Sequence, residues 1–255
     1  MVFMRSWTIR ILMSVISFTV ILAMWQCAST LRWVNPVLLP APSAIAPVAA
    51  TLLVTGEFWG PLVQTLWLLC VGYAVACVSG VLVGLLVGRS ERAYCLLEPL
   101  IEAIRPLPKP ALIPIFFLFL GPGSAMKITM VSLAAFFPVL INTMQGVRGV
   151  DRVPLDTART LGLSSFSLTS KIILPAALPL ILSGMRVSLG LGLVLVILAE
   201  MLEADSGVGF QILDLQRSFQ VKEMYSWIFV LAVVGVSLNS AFEWVEKRLT
   251  PWHSR

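Results

Sequence analysis

Few side chains in this sequence could carry out covalent or metal chemistry. The one histidine, His253, lies beside the C-terminus, and the cysteines form no C-x-x-C pair, so neither a zinc site nor a disulfide framework is expected. The sequence contains no G-x-x-x-x-G-K-[ST] phosphate loop and no nucleophile spaced with a base. It therefore predicts a protein that is not an enzyme and binds no metal or cofactor. The cysteines are interpreted as small packing residues: Cys27, Cys70, Cys77 and Cys95.

Charged side chains in apolar stretches are the remaining candidates, because charge is costly in a membrane and often functional there. Lys109 could attract an anion, or its side chain could extend to the membrane surface. Glu200 ends an apolar run, and we expect it to form structural hydrogen bonds or a gate, since a carboxylate is a poor ligand for an anion. Arg186 is expected to be structural or to reach the surface. The candidate pathway or gate residues are Arg105, Lys109 and Glu200.

The composition indicates a membrane protein. The chain is 58% hydrophobic and 12% charged, with a mean hydropathy of +0.93, whereas soluble domains carry roughly 25% charged residues. Its net charge of +5 could suggest nucleic acid, but the basic residues lie between apolar runs and not on one polar face. We therefore expect an integral membrane protein in contact with lipid and without a nucleic acid partner.

Six apolar runs are long enough to be candidates for spanning helices, which need about 20 residues. The sequence predicts an all-α membrane protein with about six transmembrane helices in a single domain, 1-255. The first run, preceded by Arg5 and Arg10, also fits a signal peptide, but its length favours a retained helix. The spans cover roughly 9-29, 62-88, 98-121, 126-147, 177-202 and 224-246, with the loop 148-176 outside the membrane.

The basic residues alternate between loops and so predict the orientation of the chain. They precede the first span and follow the second, fourth and sixth, while the other loops are poor in positive charge. By the positive-inside rule, both termini lie in the cytoplasm. The basic residues on that side include Arg5, Arg10, Arg89, Arg92, Arg105, Arg148, Arg152, Arg159, Lys171, Lys247, Arg248 and Arg255.

The third predicted span contains a group of prolines, at positions 106, 108, 110 and 114. Proline cannot donate a helical hydrogen bond, so this stretch should be broken or kinked. Irregular backbone at membrane depth is buried or lines a cavity, and such helices often lie beside a transport pathway. The alternative is an interfacial entry to a short span, and the sequence does not separate the two.

Two predicted spans carry small residues at four-residue spacing, which lets a neighbouring backbone approach closely. We expect these residues to pack within one bundle, and a subunit interface is the alternative. The small residues are Gly80, Gly84 and Gly88 in the second span, and Gly184, Ser188 and Gly192 in the fifth.

The loop between the fourth and fifth spans predicts two short helices. The first covers 153–163, and Gly162 can end it because glycine adopts the left-handed conformation. Ser164 or Ser165 can cap the second helix, and Pro175 is expected to close the unit. Its apolar side chains must be covered by the protein's own helices or by a partner.

The same loop resembles a cytoplasmic signature of the permease subunits of bacterial ABC importers. Here the signature reads Asp156-Thr157-Ala158, three residues, Gly162, nine residues, Ile172, one residue, Leu174-Pro175. It is usually written Glu-Ala-Ala, with the glycine, the isoleucine and the Leu-Pro pair in the same register. Asp156 replaces Glu and Thr157 replaces the first Ala, both small or conservative changes. The resemblance implies that this loop is the coupling element held by an ATPase.

Further segments, along nearly the whole chain, resemble the permeases for nitrate, sulfonate, taurine and bicarbonate. The resemblance implies a type I ABC importer permease fold in a bacterial inner membrane. The segments are Leu38–Ser43, Arg105–Pro108, Ala111–Pro114, Gly121–Gly123 with Lys127-Ile128, Ala199-Glu200, Ser206–Gly209 and Arg248–His253.

The resemblance also implies partners, in agreement with the missing phosphate loop. A second permease subunit, expected to be an identical chain, would complete the pathway. Two cytoplasmic ATPase subunits would bind ATP and Mg and drive alternating access. A solute-binding protein outside the membrane would deliver a small solute, expected to be an anion.

Two other functions are kept as alternatives. A secondary transporter driven by an ion gradient would need no ATPase and would carry an intramembrane acid pair, which the sequence does not show. A membrane scaffold would use the loop to recruit a cytoplasmic partner without transport. An ATPase subunit that purifies with the chain would indicate an importer, and its absence would favour one of these two alternatives.

Overall fold

The computed structural model describes residues 2–203 and 205–252, with the side chains of residues 2–11 and 14 excepted. His253 and Arg255 lie outside the described residues, as do the side chains of Arg5 and Arg10. The described chain is helical and has no strand, which confirms the all-α class. A 3-10 turn (Lys109–Leu112) precedes α5, and a π turn (Thr169–Ile173) precedes α9. The helices are α1 (Val2–Thr30), α2 (Pro42–Thr55), α3 (Trp59–Arg89), α4 (Glu91–Ile104), α5 (Ile113–Leu120), α6 (Ser124–Arg148), α7 (Arg152–Thr160), α8 (Ser165–Leu168), α9 (Leu174–Glu203), α10 (Val208–Arg217) and α11 (Val221–Leu249).

Within the described ranges, four helical segments are long and apolar enough to cross a membrane. They are α3, α6, the run Ser165–Glu203 that includes α9, and α11. The pair formed by α4 and Lys109–Leu120 would be a fifth span, although its two parts are bent by 85°. The described apolar part of α1, Val15–Thr30, is shorter. The count of six spans and the placement of both termini in the cytoplasm stay predictions.

Helix α6 lies at the centre of the bundle, between α3 and α9. A Cβ atom added to Gly84 of α3 would lie 2.6 Å from Thr143 Cβ of α6. Gly80 and Gly88 approach α6 almost as closely, with Cβ distances of 2.9 Å to Val139 and 2.8 Å to Val147. Without a side chain at these positions the two backbones come close enough for extensive van der Waals contact, which holds helices together in lipid.

The second set of small residues joins α9 to the same two helices. A Cβ atom on Gly184 would lie 2.6 Å from Asn142 Cβ of α6, and one on Gly192 would lie 3.1 Å from Leu69 Cδ1 of α3. Ser188, between the two glycines, is fully buried. Both sets of small residues therefore make contacts within one chain.

The proline-rich segment is broken, as predicted. Helix α4 ends at Ile104, and the chain turns by 85° before the next helical segment. Pro106 and Pro108 lie in the break, where they remove no helical hydrogen bond. Pro110 and Pro114 lie in the first turns of the helical segments that follow, where a proline amide would be unpaired in any case.

Pro175 does not close the α7–α8 unit, contrary to the prediction. The helical run continues from Ser165 to Glu203, through a π turn in which the Leu174 amide donates to the Thr169 carbonyl. Pro175 lies just after this wide turn, in the first turn of α9, so its missing N–H is accommodated without ending the helix. Ser164 caps the start of the run by accepting from the Ser167 amide at 3.2 Å.

Helices α2 and α10 were not predicted, and they pack with α11 at one end of the bundle. Their buried side chains Leu52 and Val208 join Phe58 and Trp227 in an apolar cluster. This end lies near the start of α3, whereas α7 and α8 lie near its last residue, Arg89. We call them the α10 end and the α7 end of the bundle.

Helix α11 lies at the periphery and is attached to α9 by a polar contact. Arg186 donates from Nε to Asn239 Oδ1 at 3.2 Å and from Nη2 to Glu243 Oε2 at 3.2 Å. Glu246 Oε2 lies 3.7 Å from the same guanidinium. Arg186 is therefore a structural residue between two helices, one of the two roles expected for it.

Candidate functional site

A cavity of about 510 Å³ opens beside the broken span. It is bounded by the segment from Arg105 to Pro110, by α6 and by α9. Most of its walls are apolar, and its two charged residues, Arg105 and Lys109, lie just after the end of α4. The lining residues are Arg105, Leu107, Lys109, Pro110, Ala134, Phe137, Pro138, Ile141, Asn142, Val187, Leu191, Val194 and Leu195.

Lys109 lines this cavity, but its ammonium group is engaged by the backbone. Nζ donates to the carbonyls of Ile104 at 3.1 Å, Arg105 at 2.8 Å and Leu107 at 3.0 Å. It also lies 4.6 Å from the centre of the Phe137 ring. The last carbonyls of α4 have no helical donor, so the lysine caps that helix and fixes the turn. This contact adds a structural role, and the two roles considered from the sequence, attraction of an anion and extension to the membrane surface, stay predictions.

Arg105 lies at the rim of the same cavity. Its Nη1 atom is 3.3 Å from Glu102 Oε1, and both side chains are about half exposed. An exposed ion pair of this kind is worth little, so the guanidinium can exchange its partner for another anion at small cost.

The side of the cavity formed by α9 is open. Val187, Leu191 and Val194 all line the cavity and expose a large fraction of their surface. These residues recur at helical spacing and form one apolar face beside the cavity. The described part of the chain leaves this face uncovered.

Glu200 joins α9, α3 and α10 at the α10 end. Its carboxylate accepts from Thr65 Oγ1 at 2.7 Å and from the Gly209 amide at 2.9 Å. Thr65 Oγ1 in turn accepts from the Val208 amide at 3.0 Å. These amides belong to the unpaired N-terminal turn of α10, so the fully buried carboxylate caps that helix and fixes its direction.

A buried ion pair lies near Glu200 in sequence and was missed from the sequence. Lys127 Nζ lies 2.8 Å from Glu203 Oε2, with the side chains 3% and 2% exposed. The pair connects the start of α6 to the last residue of α9. The available signal was a basic residue at the start of predicted span four and an acidic residue just after the end of predicted span five.

The predicted coupling segment, the loop 148-176, lies at the α7 end. Gly162 has φ of +74°, which ends α7 in the left-handed conformation. Ala158 is buried and packs with Leu168 and Ala177, so this side of the segment rests on the bundle. Asp156 pairs with Arg159 at 3.1 Å. Ile172 and Leu174 are partly buried in the same apolar cluster, Thr157 is exposed, and Pro175 lies in the first turn of α9.

The opposite side of the coupling segment is uncovered. Val153 is 77% exposed, Leu161 is 73% exposed and Phe166 is 82% exposed. Large apolar side chains exposed together on a surface mark an interaction site. The segment thus packs on its own bundle through one face and is available to a partner through the other.

Residues 80–253 match the protein family described as "Binding-protein-dependent transport system inner membrane component". The chain is 36% identical to a Bacillus subtilis (strain 168) permease protein named for aliphatic sulfonate transport. The alignment covers 92% of this chain and 85% of that relative. It is 30% identical, over 96% of its length and 90% of the relative, to the "Taurine transport system permease protein TauC" of Escherichia coli (strain K12). The "Nitrate import permease protein NrtB" of Leptolyngbya laminosa is 31% identical over 77% of this chain and 70% of the relative.

A solved structure has the same fold. A chain of the MetNI methionine ABC transporter aligns with a TM-score of 0.66 over 77% of this chain and 98% of that chain. The sequence identity between the two is 18%, so the likeness concerns the arrangement of helices.

Proposed function

This chain belongs to the family of binding-protein-dependent transport system inner membrane components, as the permease subunit of an ABC importer, and on that premise we propose that it imports a small sulfonate-type anion. The observation that carries the substrate class is the 36% identity with a permease named for aliphatic sulfonate transport, over nearly the whole chain. The chain is a multi-pass protein of the inner membrane.

The cavity beside the broken span supports this class of solute. Phe137 and Leu191 give it apolar walls, which suit the alkyl part of an alkanesulfonate. Arg105 at its rim carries a charge that is held only by an exposed ion pair, so it is available to sulfonate oxygens. Nitrate and bicarbonate would use the arginine but would leave the apolar walls without a function.

We propose that two copies of the chain enclose the pathway between them. The open side of the cavity consists of the exposed α9 residues Val187, Leu191 and Val194. A second copy placed against this face would cover its apolar surface and close the cavity. Oxidative cross-linking of Val194→Cys, in a chain whose native cysteines are replaced, tests this arrangement by the yield of covalent dimer.

We propose that two ATPase subunits dock on the coupling segment and supply the energy for transport. ATP and Mg would be bound by those partner subunits. The docking face would be formed by Val153, Leu161 and Phe166. With the α7 end in the cytoplasm, the α10 end would face the solute-binding protein. There the Glu200 network, which fixes α10, would act as part of the outer gate.

Two measurements test the proposed function. Affinity purification of the tagged chain from native membranes should retain an ATPase subunit, and its absence would favour a secondary transporter or a scaffold. Cross-linking should then capture a solute-binding protein, and mass spectrometry of its ligand should find a sulfonate. A captured binding protein that selects nitrate or bicarbonate would overturn the substrate class while leaving the permease assignment intact.

A further inference from the structure

A cavity lined by arginines lies at the α7 end, where two candidate spans finish. Its volume is about 500 Å³, and it lies between Arg89 at the end of α3, Arg148 at the end of α6 and the coupling segment. Arg152 and Arg159 of α7 line it too, together with the carboxylate of Glu91. Within the described part of the chain, the charged lining is predominantly positive.

The positive charge of this cavity is only partly neutralised. Arg148 pairs with Glu91 at 2.9 Å, and Arg159 pairs with Asp156. Arg89 donates to the neutral hydroxyl of Ser165 at 2.7 Å, which leaves its charge uncompensated. Arg152 has no ion pair among the residues that the structure describes. Two guanidinium groups are thus available to an anion, and guanidinium is well matched to phosphate oxygens.

A second opening, on the exposed side of α3, shares Arg89 with this cavity. It is lined by Leu85, Leu86, Arg89, Ser90 and Thr169, so Arg89 belongs to both openings. Leu86 is 60% exposed on a helix that is long and apolar enough to span the membrane. Two leucines beside an uncompensated arginine have the chemistry of a site for an acyl chain and its headgroup. A free phosphate ion would make no use of the leucines.

We propose that the arginine cavity binds the phosphate of an anionic phospholipid, with an acyl chain along Leu86 of α3. Basic pockets between spanning helices are suited to anionic headgroups in this way. The lipid would lie between the end of α3 and the first turn of α8, next to the contact of Arg89 with Ser165. The proposed lipid site rests on the arginines at the ends of α3 and α6, and it does not depend on which solute the protein carries.

Lipid retention by the purified complex tests the site directly. Native mass spectrometry of the complex, exchanged with equal amounts of phosphatidylglycerol and phosphatidylcholine, should show phosphatidylglycerol bound in excess. Arg89→Gln and Arg152→Gln should each reduce this excess by about fivefold, the change expected from one basic residue at a membrane surface. Arg92→Gln is the matched control, because Arg92 is exposed on α4 but does not line the cavity.

Several outcomes would overturn the proposal. Equal retention of both lipids, or an equal loss in the Arg92→Gln variant, would show that the cavity does not select anionic lipid. Displacement of phosphatidylglycerol by millimolar inorganic phosphate would show a site for the free ion. Cryo-electron microscopy of the complex that finds an acidic side chain of a partner subunit in the cavity would assign it to that interface. Arg152→Gln should leave folding intact, since its side chain is exposed and unpaired.

Discussion

Lys127 Nζ lies 2.8 Å from Glu203 Oε2, and both side chains are almost completely buried. The contact joins the first turn of α6 to the last turn of α9, so it fixes the α10 end of two helices that pack closely along their length. The residues are 76 positions apart in sequence, as their numbers show.

Removing one partner of this ion pair should destabilise the protein more than removing both. Lys127→Met leaves the Glu203 carboxylate buried without a counter-ion, which costs about 3–5 kcal/mol in comparable sites. The double variant Lys127→Met, Glu203→Met leaves no uncompensated charge. The double variant should therefore have a higher unfolding temperature than the Lys127→Met single variant when both are purified. Strictly additive losses would contradict a coupled pair.

The Glu200 network should control the order of α10. Thr65→Val removes the hydroxyl that donates to Glu200 and accepts from the Val208 amide, leaving buried polar groups unpaired at a cost of about 1–3 kcal/mol. Hydrogen exchange of the first turn of α10 should become faster. Thr51→Val, whose hydroxyl bonds only within α2 and is exposed, is the control. Equal protection of α10 in both variants would contradict the capping role.

Close contact between α3 and α6 should make Gly84 intolerant of any side chain. A Cβ atom there would lie 2.6 Å from Thr143 Cβ and 2.9 Å from the Leu140 carbonyl oxygen. Gly84→Ala should therefore cost about 1–3 kcal/mol through overpacking. Gly60→Ala, on the same helix with nothing within 4 Å, should be neutral or stabilising. Unfolding temperatures of the two variants measure the difference, and similar values would argue against this interface.

Replacing Lys109 should lower the stability of the protein and should reduce transport only through the loss of folded protein. Lys109→Met leaves three backbone carbonyls without their charged donor, at a cost of about 1–3 kcal/mol. Uptake should fall in proportion to the amount of folded protein, with KM unchanged. Arg105→Gln, at the cavity rim, should change stability by less than about 1 kcal/mol but raise the KM for a sulfonate. A raised KM in Lys109→Met at normal stability would instead indicate that the lysine contacts the solute in the pathway.

Gly162 should be required for coupling because of its backbone conformation. At φ of +74°, a β-branched residue is strained by about 1–2 kcal/mol. Gly162→Val should therefore distort the end of α7 and separate ATP hydrolysis from uptake while the chain still inserts. Asparagine tolerates this conformation, so Gly162→Asn should retain coupled transport. Coupled uptake in Gly162→Val would count against a role for this turn.

The sequence could predict features that depend on local pattern. The prolines at 106 and 108 indicated a break because a proline beyond the first turn of a helix removes a backbone donor, and glycine at 162 indicated a helix end for a similarly local reason. Pro175 misled because its effect depends on the π turn before it, in which Leu174 bonds to Thr169. A single proline is compatible with either outcome.

Features that depend on distant contacts could not be predicted. The Lys127–Glu203 pair needs α6 and α9 to be packed side by side before the two charges meet. Helix α10 has a mixed polar sequence and owes its position to Glu200 and Thr65, which precede it by 8 and 143 residues when counted from Val208. Lys109 was interpreted as a charge near a pathway, and only the turn of the chain brings three carbonyls around its ammonium group.

The glycine face of α3 has a consequence for biosynthesis. Gly80 and Gly84 contact α6, which follows only after the bent segment between α4 and α5. A chain that emerges from the ribosome N-terminus first must therefore hold α3 in the bilayer with this face unpaired until α6 has been made. Helix α9 then packs against both. Helix α6 is thus the first helix that can cover the glycine face of α3, and a pause in translation before it would extend the lifetime of an exposed, incompletely packed α3.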